Sequence, residues 1–251
     1  MSGAIAFPAG GYDYVPGVFQ YSAGVRAQAG HRIERVRFRR VIPMQEGFRR
    51  IAAFLQQAGR PLTAFCACEL RSPAPFTESG FRVFNEAYAA VLTEWGIMTG
   101  QTNPVARSNV CPEIDPPTEP GFHAFCFTRP EADTHPSFMV AGSGEAPEGR
   151  ANYRDHIVRL DDVSPDGMRE KAAFVMTEME RRMAVLDTGW TAVTGTQIYT
   201  VQDIASFLPD ELVRRGAARH GLTWHFARPP VVGLDYEMDC RGITVERVID
   251  G

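Results

Sequence analysis

Gly142-Ser143-Gly144 ends a run of four apolar residues, Phe138 to Ala141, and Pro147 closes the segment. Small residues let backbone approach a neighbour closely, and the N–H groups of such a turn are suited to hold an anionic oxygen. Arg107 follows Pro104 in a strand-like stretch, a stiff mounting. Its planar fork holds a carboxylate bidentately and stays charged at any working pH. Glu237 stands between Asp235 and Asp239 at a spacing that puts all three on one face of a strand. A glutamate there serves as general acid/base if burial raises its pKa toward neutrality. His123 is a second candidate for that role. Asn85, beside the apolar stripe of a helix, offers a hydrogen bond to a ligand.

Other chemistries find little support. His220 and His225 lack metal-ligand spacing, and no His-x-Glu with Pro-Cys-x-x-Cys occurs, so the zinc deaminase signature is missing. No Gly-x-Gly-x-x-Gly or Walker loop is present, which argues against a nucleotide cofactor. Cys111 and Cys126 near His123 have no spacing that marks a thiol nucleophile. We therefore expect neither metal nor cofactor. The net charge of −4 gives nucleic acid no electrostatic footprint, and the arginines from Arg32 to Arg40 alternate with Ile33, Val36 and Phe38 as in a strand with one solvated face. No run reaches the ~18 apolar residues of a membrane span, and the N-terminus has no basic n-region of a secretory signal. The five cysteines include no Cys-x-x-Cys pair; Cys66 and Cys68, two apart in a strand, point to one face. Buried reduced thiols and a cytoplasmic location follow as expectations.

The elements that must position these residues come in two similar sets. Residues 1–17 form an irregular lead-in. Strands are expected over 18–27 and 32–41, paired as a hairpin around Gln28-Ala29-Gly30. A helix carrying Phe48, Ile51, Ala52 and Leu55 runs from Pro43 to Gly59, then a buried strand covers 62–70. A second helix carries Phe81, Phe84, Tyr88, Val91, Leu92 and Trp95, and strands follow over 104–114 and 121–128. After a polar linker, 129–137, the pattern returns: strands over 138–143 and near 156–161, a long helix, a strand over 191–200, a helix over 202–216, and strands over 222–228 and 234–241. Ser164 caps the long helix with Pro165 at its first position. Its stripe of Met168, Ala172, Val175, Met176, Met179, Met183 and Leu186 is core filler. Repetition at ~125 residues is domain duplication, not a solenoid, whose periods run ~20–50.

This order, β-β-α-β-α-β-β twice, resembles the Rid (YjgF) superfamily of enamine/imine deaminases. Ser-Gly-Glu-Ala-Pro at 143–147 is similar to that family's Ser-Gly-Gln-x-Pro segment. Asn85-Glu86-Ala87-Tyr88 resembles its Asn-x-x-Tyr, and Pro104-Val105-Ala106-Arg107-Ser108 resembles its Pro-Ala-Arg-Ser/Thr signature, whose arginine holds the substrate carboxylate. Leu234-Asp235-Tyr236-Glu237-Met238 resembles the closing strand, where a glutamate positions the hydrolytic water. Each half departs from the pattern: Gly221 falls where the second arginine would stand, His123 where the first glutamate would, and Ala23 where the first serine would.

The resemblance implies an α+β protein of two fused Rid-like domains, 1–130 and 131–251, each a sheet with helices on one face. It implies a homotrimer and a composite site in which Arg107, Asn85 and Tyr21 from the first half meet Ser143, Gly144 and Glu237 from the second. The expected activity is cofactor-independent hydrolytic deamination of an enamine/imine carboxylic acid such as 2-aminomuconate, with a small carboxylate as ligand. Chorismatase-like chemistry on a cyclic enol-pyruvyl acid and a non-catalytic carboxylate sensor are the alternatives. Either Glu237 or His123 would be the acid/base.

Overall fold

The computed structural model describes residues 3–132 and 136–250. In chain order the strands are β1 (Ile5–Phe7), β2 (Tyr12–Val15), β3 (Gly24–Ala27), β4 (His31–Pro43), β5 (Phe65–Arg71), β6 (Ala106–Pro112), β7 (Gly121–Pro130), β8 (Phe138–Gly144), β9 (Gly195–Tyr199), β10 (Thr223–His225), β11 (Ala227–Arg228), β12 (Glu237–Gly242) and β13 (Glu246–Ile249). Helix α1 (Met44–Gln57) follows β4 directly, α2 (Glu78–Glu94) lies between β5 and β6, and α3 (Pro165–Val185) between β8 and β9.

The strands form two mixed sheets. One has the order β1-β2-β3-β8-β12-β9-β10, the other β11-β6-β5-β7-β4-β13. Each sheet contains a four-strand run with the same pattern of pairing. The second sheet contains the run β6-β5-β7-β4, with β5 parallel to β6 and antiparallel to β7. The first contains β10-β9-β12-β8, with β9 parallel to β10 and antiparallel to β12. Each sheet also takes strands from the other side of residues 130/131: β1–β3 extend the first beyond β8, and β13 and β11 flank the second.

The two sheets pack face to face. Tyr12, Val25, Met139 and Ala141 of the first interlock with Ile33, Cys66, Ala106 and Cys126 of the second. Each outer face carries helices. Phe48, Ile51 and Leu55 of α1 and Phe81, Tyr88 and Leu92 of α2 bury against the second sheet. Met168, Val175, Met176, Met179 and Met183 of α3 bury against Val140, Ile198 and Met238 of the first. The methionine stripe is core, as its spacing predicts. Ser164 caps α3, its hydroxyl accepting from Gly167 N at 3.2 Å. Among the described residues no helix is long and apolar enough to cross a membrane.

Several expectations are corrected. The lead-in 1–17 is not irregular, since it supplies β1 and β2. The 18–27/32–41 hairpin does not form: β3 pairs with β2 and β8, whereas β4 pairs with β7 and β13. The Gln28-Ala29-Gly30 turn redirects the chain from one sheet to the other. No strand occupies 156–161, where a 3₁₀ turn at Arg154–His156 leads into further turns. Residues 202–216 hold turns and a single wide π-type turn, Leu208–Val213, in place of an α-helix. Part of the expected linker is β7, and residues 133–135 lie outside the described residues. Cys66 faces the other sheet while Cys68 faces α2, 3.3 Å from the Tyr88 hydroxyl. A ladder irregularity between Phe65 and Ala67 breaks the alternation there. All five cysteines are buried and unpaired, as expected.

A polar network crosses the sheet interface. Arg35 of β4 binds Glu69 of β5 through Nε and Nη2 at 2.6 and 2.9 Å, both residues nearly fully buried. Gln197 of β9 donates to Glu69 at 3.2 Å and to Asp239 of β12 at 2.9 Å. Breaking a buried pair by removing one partner strands an uncompensated charge. Arg35→Ala should therefore lower stability by about 3–5 kcal/mol, read by urea unfolding; a change below 1 kcal/mol would show that Glu69 has no need of Arg35.

Candidate active site

Strand β6 presents its residues alternately. Ala106 and Ser108 point between the sheets, Ser108 donating to Asp239 at 2.7 Å. Arg107 and Asn109 therefore share the opposite face, toward α2 and the end of the first sheet. The Arg107 guanidinium is caged by aromatic rings: its central carbon lies 4.8 Å from the centroid of Tyr88, 5.5 Å from Phe84 and 5.4 Å from Tyr21. Nη2 donates to Asn85 Oδ1 at 2.5 Å. Nη1 is buried with no partner, and so is the Nδ2 of Asn85. Arg107 is 2% exposed, and no carboxylate lies within ion-pair distance among the described residues. A buried, unpaired cation is costly unless an anion completes it.

The facing wall comes from the first sheet. Gly142, Ser143 and Gly144 end β8, and Glu237 opens β12 in register with Gly144. Gly142 is where the sheets touch: a Cβ there would stand 2.9 Å from Ser108 Cβ and collide with the Glu237 carboxylate. Glycine lets the two strands close enough for Glu237 and Arg107 to share one cleft. That cleft is narrow, with a cavity volume of about 30 Å³. Arg107, Glu237, Ser143, Gly144 and Tyr21 line it, and Asn85 reaches it through Arg107. Glu148, Tyr153 and Asn109 complete its polar lining.

The cleft's electrostatics are unusual. Burial, then the charges of Asp239 and Glu145, push the Glu237 carboxyl well above its ordinary range, against the opposing pull of Arg107. Glu237 is thus held neutral where an exposed glutamate would be ionised. Glu148 is paired instead, accepting from Arg182 at 2.8 Å. Behind the site, Glu145 accepts from the backbone N–H groups of Asp235 and Tyr236 at 2.6 and 3.1 Å. Lys171 of α3 bridges Glu145 and Asp235 at 3.1 and 3.0 Å. Asp235 therefore does not share a face with Glu237 and Asp239: it precedes β12 and turns toward α3.

His123 is the one candidate that the fold does not bring to the cleft. It lies on β7 with its ring 6.3 Å from that of His225, in a cluster with Arg71, Glu69 and Tyr199. Burial and the charge of Arg71 lower its pKa to about 3. Asn109, Glu148 and Tyr153 were absent from the sequence candidates. Alternation alone could have found Asn109, two residues beyond Arg107 on the same strand. Glu148 and Tyr153 sit in a loop with no periodicity to read.

Residues 4–247 match the model of a family described as 2-aminomuconate deaminase CnbZ. A relative from Comamonas testosteroni, described as 2-amino-5-chloromuconate deaminase, is 50% identical over 251 residues, covering 99% of this chain and 100% of that protein.

The neutral Glu237 has a measurable consequence for stability. Its folded pKa is raised above the unfolded value of roughly 4.3, so its favourable contribution is present below that pH and lost as pH rises through the folded pKa. Glu237→Gln removes this loss. The melting temperature of the variant should exceed that of the wild type by a margin that widens as pH rises from about 4.3. A constant margin between pH 4 and 8 would mean that Glu237 titrates as it does in the unfolded chain.

Proposed function

The chain belongs to this family of deaminases, enzymes that act on C–N bonds, and on that premise we propose that it hydrolyses a 2-aminomuconate-like enamine acid and releases ammonia. The observation that carries the reading is the pairing, in one cleft, of an unpartnered buried guanidinium with a carboxyl held neutral. Arg107 takes the carboxylate next to the amino-bearing carbon, its free Nη1 and the Asn85 amide supplying hydrogen bonds. Tyr21 and the α2 aromatics hold the guanidinium in place, and the conjugated chain lies along Ser143 and Gly144.

The protonated Glu237 gives its proton to the enamine carbon, which converts the enamine to an iminium ion. The resulting carboxylate then takes a proton from a water molecule as its oxygen attacks the iminium carbon. As the carbinolamine collapses, Glu237 gives its proton to the leaving nitrogen and takes the hydroxyl proton back, so the C–N bond breaks, neutral ammonia departs, a carbonyl remains and Glu237 ends protonated as it began. No electrons are exchanged, and one water is consumed per ammonia released. A glutamate at its ordinary pKa would begin this sequence deprotonated, so the raised value fits the acid-first order.

We read the chain as two fused Rid-like units, 1–130 and 131–251; the repeated strand run and its repeated parallel and antiparallel pattern support this. In the same reading the protein assembles as a homotrimer. Trp224 and Phe226, about half exposed at the edges of β10 and β11, and Val232 nearby are apolar surface available for such contacts. Sedimentation velocity should give a species of three chains; a monomer would remove the trimer from the proposal without touching the cleft.

The deciding assay couples ammonia release to wild-type enzyme acting on 2-aminomuconate. Arg107→Ala should lower kcat/KM by more than 100-fold, and Glu237→Gln should lower kcat by ~10²–10⁴-fold. His123→Gln should leave both within a factor of three. Absence of ammonia from the wild type would overturn the proposal.

A further inference from the structure

The cleft holds a second unsatisfied donor that the reaction above does not use. Asn109 is 3% exposed and lines the cleft on the same face of β6 as Arg107. Its Oδ1 accepts from the Ser72 hydroxyl at 3.0 Å. The Nδ2 group is left buried with no partner. A buried amide donor without an acceptor costs as much as a lost hydrogen bond.

Charge accounting shows what such a donor is for. Among the charged residues that line the cleft, Arg107 alone carries a charge that no side chain of opposite sign answers, because Glu148 is paired with Arg182 and Glu237 is held neutral. One guanidinium can neutralise one carboxylate of a ligand. A second carboxylate on the same ligand would find no cation here, so neutral donors must hold it. Two residues along a strand span roughly 7 Å, a distance suited to a short conjugated chain with an anionic group at each end.

Resting on the deaminase reading for the identity of the first carboxylate's site, we infer that Asn109 is the residue that selects dicarboxylates, its Nδ2 donating to the far carboxylate. Ser72 is its positioning residue. Its hydroxyl is hydrogen-bonded to the amide and holds the Asn109 side chain in place.

The test uses two unreactive ligands of the same chain length: muconate, with a carboxylate at each end, and sorbate, with a methyl group in place of the far one. Calorimetric affinities on the full-length protein should show wild type binding muconate at least 10-fold more tightly than sorbate, the worth of one hydrogen bond to a charged group. Asn109→Ala should bring that ratio to near one while leaving the sorbate affinity within a factor of three. Asn109→Asp keeps the size and puts a negative charge at the same point; it should invert the preference. Ser72→Ala should give a ratio between those of wild type and Asn109→Ala. Arg107→Ala should weaken both ligands together. Equal loss of both ligands in Asn109→Ala, or an unchanged ratio, would overturn the inference. Binding does not depend on turnover: a ratio that collapses in Asn109→Ala beside a wild type that releases no ammonia would sink the deaminase reading and leave the dicarboxylate site standing. Ammonia release with an unchanged ratio would do the reverse.

Discussion

The geometry of the cleft depends on how closely two sheets approach at Gly142. Face-to-face sheets normally stand ≈ 10 Å apart, kept there by side chains on both inner faces. At Gly142 one of those side chains is missing, and Ser108 and Glu237 close over the gap. The strand that carries Arg107 and the strand that carries Glu237 belong to different sheets, and this contact fixes their relative height. Further along the same interface the Arg35–Glu69–Gln197–Asp239 network ties the sheets with charge-assisted hydrogen bonds, so the close approach is not left to one residue.

Electrostatics then divides the labour within the cleft. Arg107 is dehydrated by aromatic rings that give it quadrupole attraction but no counter-charge. Glu237, dehydrated in the same space, relieves its own penalty by keeping a proton. The two do not form an ion pair, which would use up both. Each is left in a distinct state: a cation free to take an anion, and a carboxyl whose burial favours its protonated form. Lys171 and Glu145, both fully buried, hold the backbone of residues 235 and 236 directly behind Glu237 and so set where that acid points.

Much of this was legible in the sequence, where local rules apply. The Ser164 cap, Pro165 and the methionine stripe mark α3, and the apolar stripes of α1 and α2 are where their spacing places them. The Gly-Ser-Gly turn, Arg107 and Glu237 carried chemistry by residue type, and with Asn85 and Tyr21 they gather around one cleft. What failed was non-local. Gln28-Ala29-Gly30 is a good local turn, yet the strands on either side enter different sheets, β3 between β2 and β8 and β4 between β7 and β13. β1 and β2 are only three and four residues long, too short for alternation to show, and β13 finds its partner β4 some 200 residues back along the chain. Residues 202–216 have helical spacing at Leu208 and Leu212 but are interrupted by Pro209, and packing resolves them as turns. The bulge beside Cys66 reversed a face assignment that strict alternation had made. Asn109 was missed for a different reason: alternation puts it on the face of Arg107, but an asparagine two residues beyond a candidate arginine was not followed up along the strand.

The way the sheets exchange strands bears on the order in which the molecule can be made. β13, the last strand of the chain, lies beside β4, and β1–β3 lie beside β8. During synthesis from the N-terminus β3 waits for β8, more than 100 residues further on, and β4 keeps an open edge until β13 emerges. A piece ending near residue 130 would present unpaired ladders on β3, β4 and β6, the surfaces through which strands from other chains add on. The exchange of strands across residues 130/131 makes the chain a single folding unit, and a cut there would leave two aggregation-prone fragments in place of two small proteins.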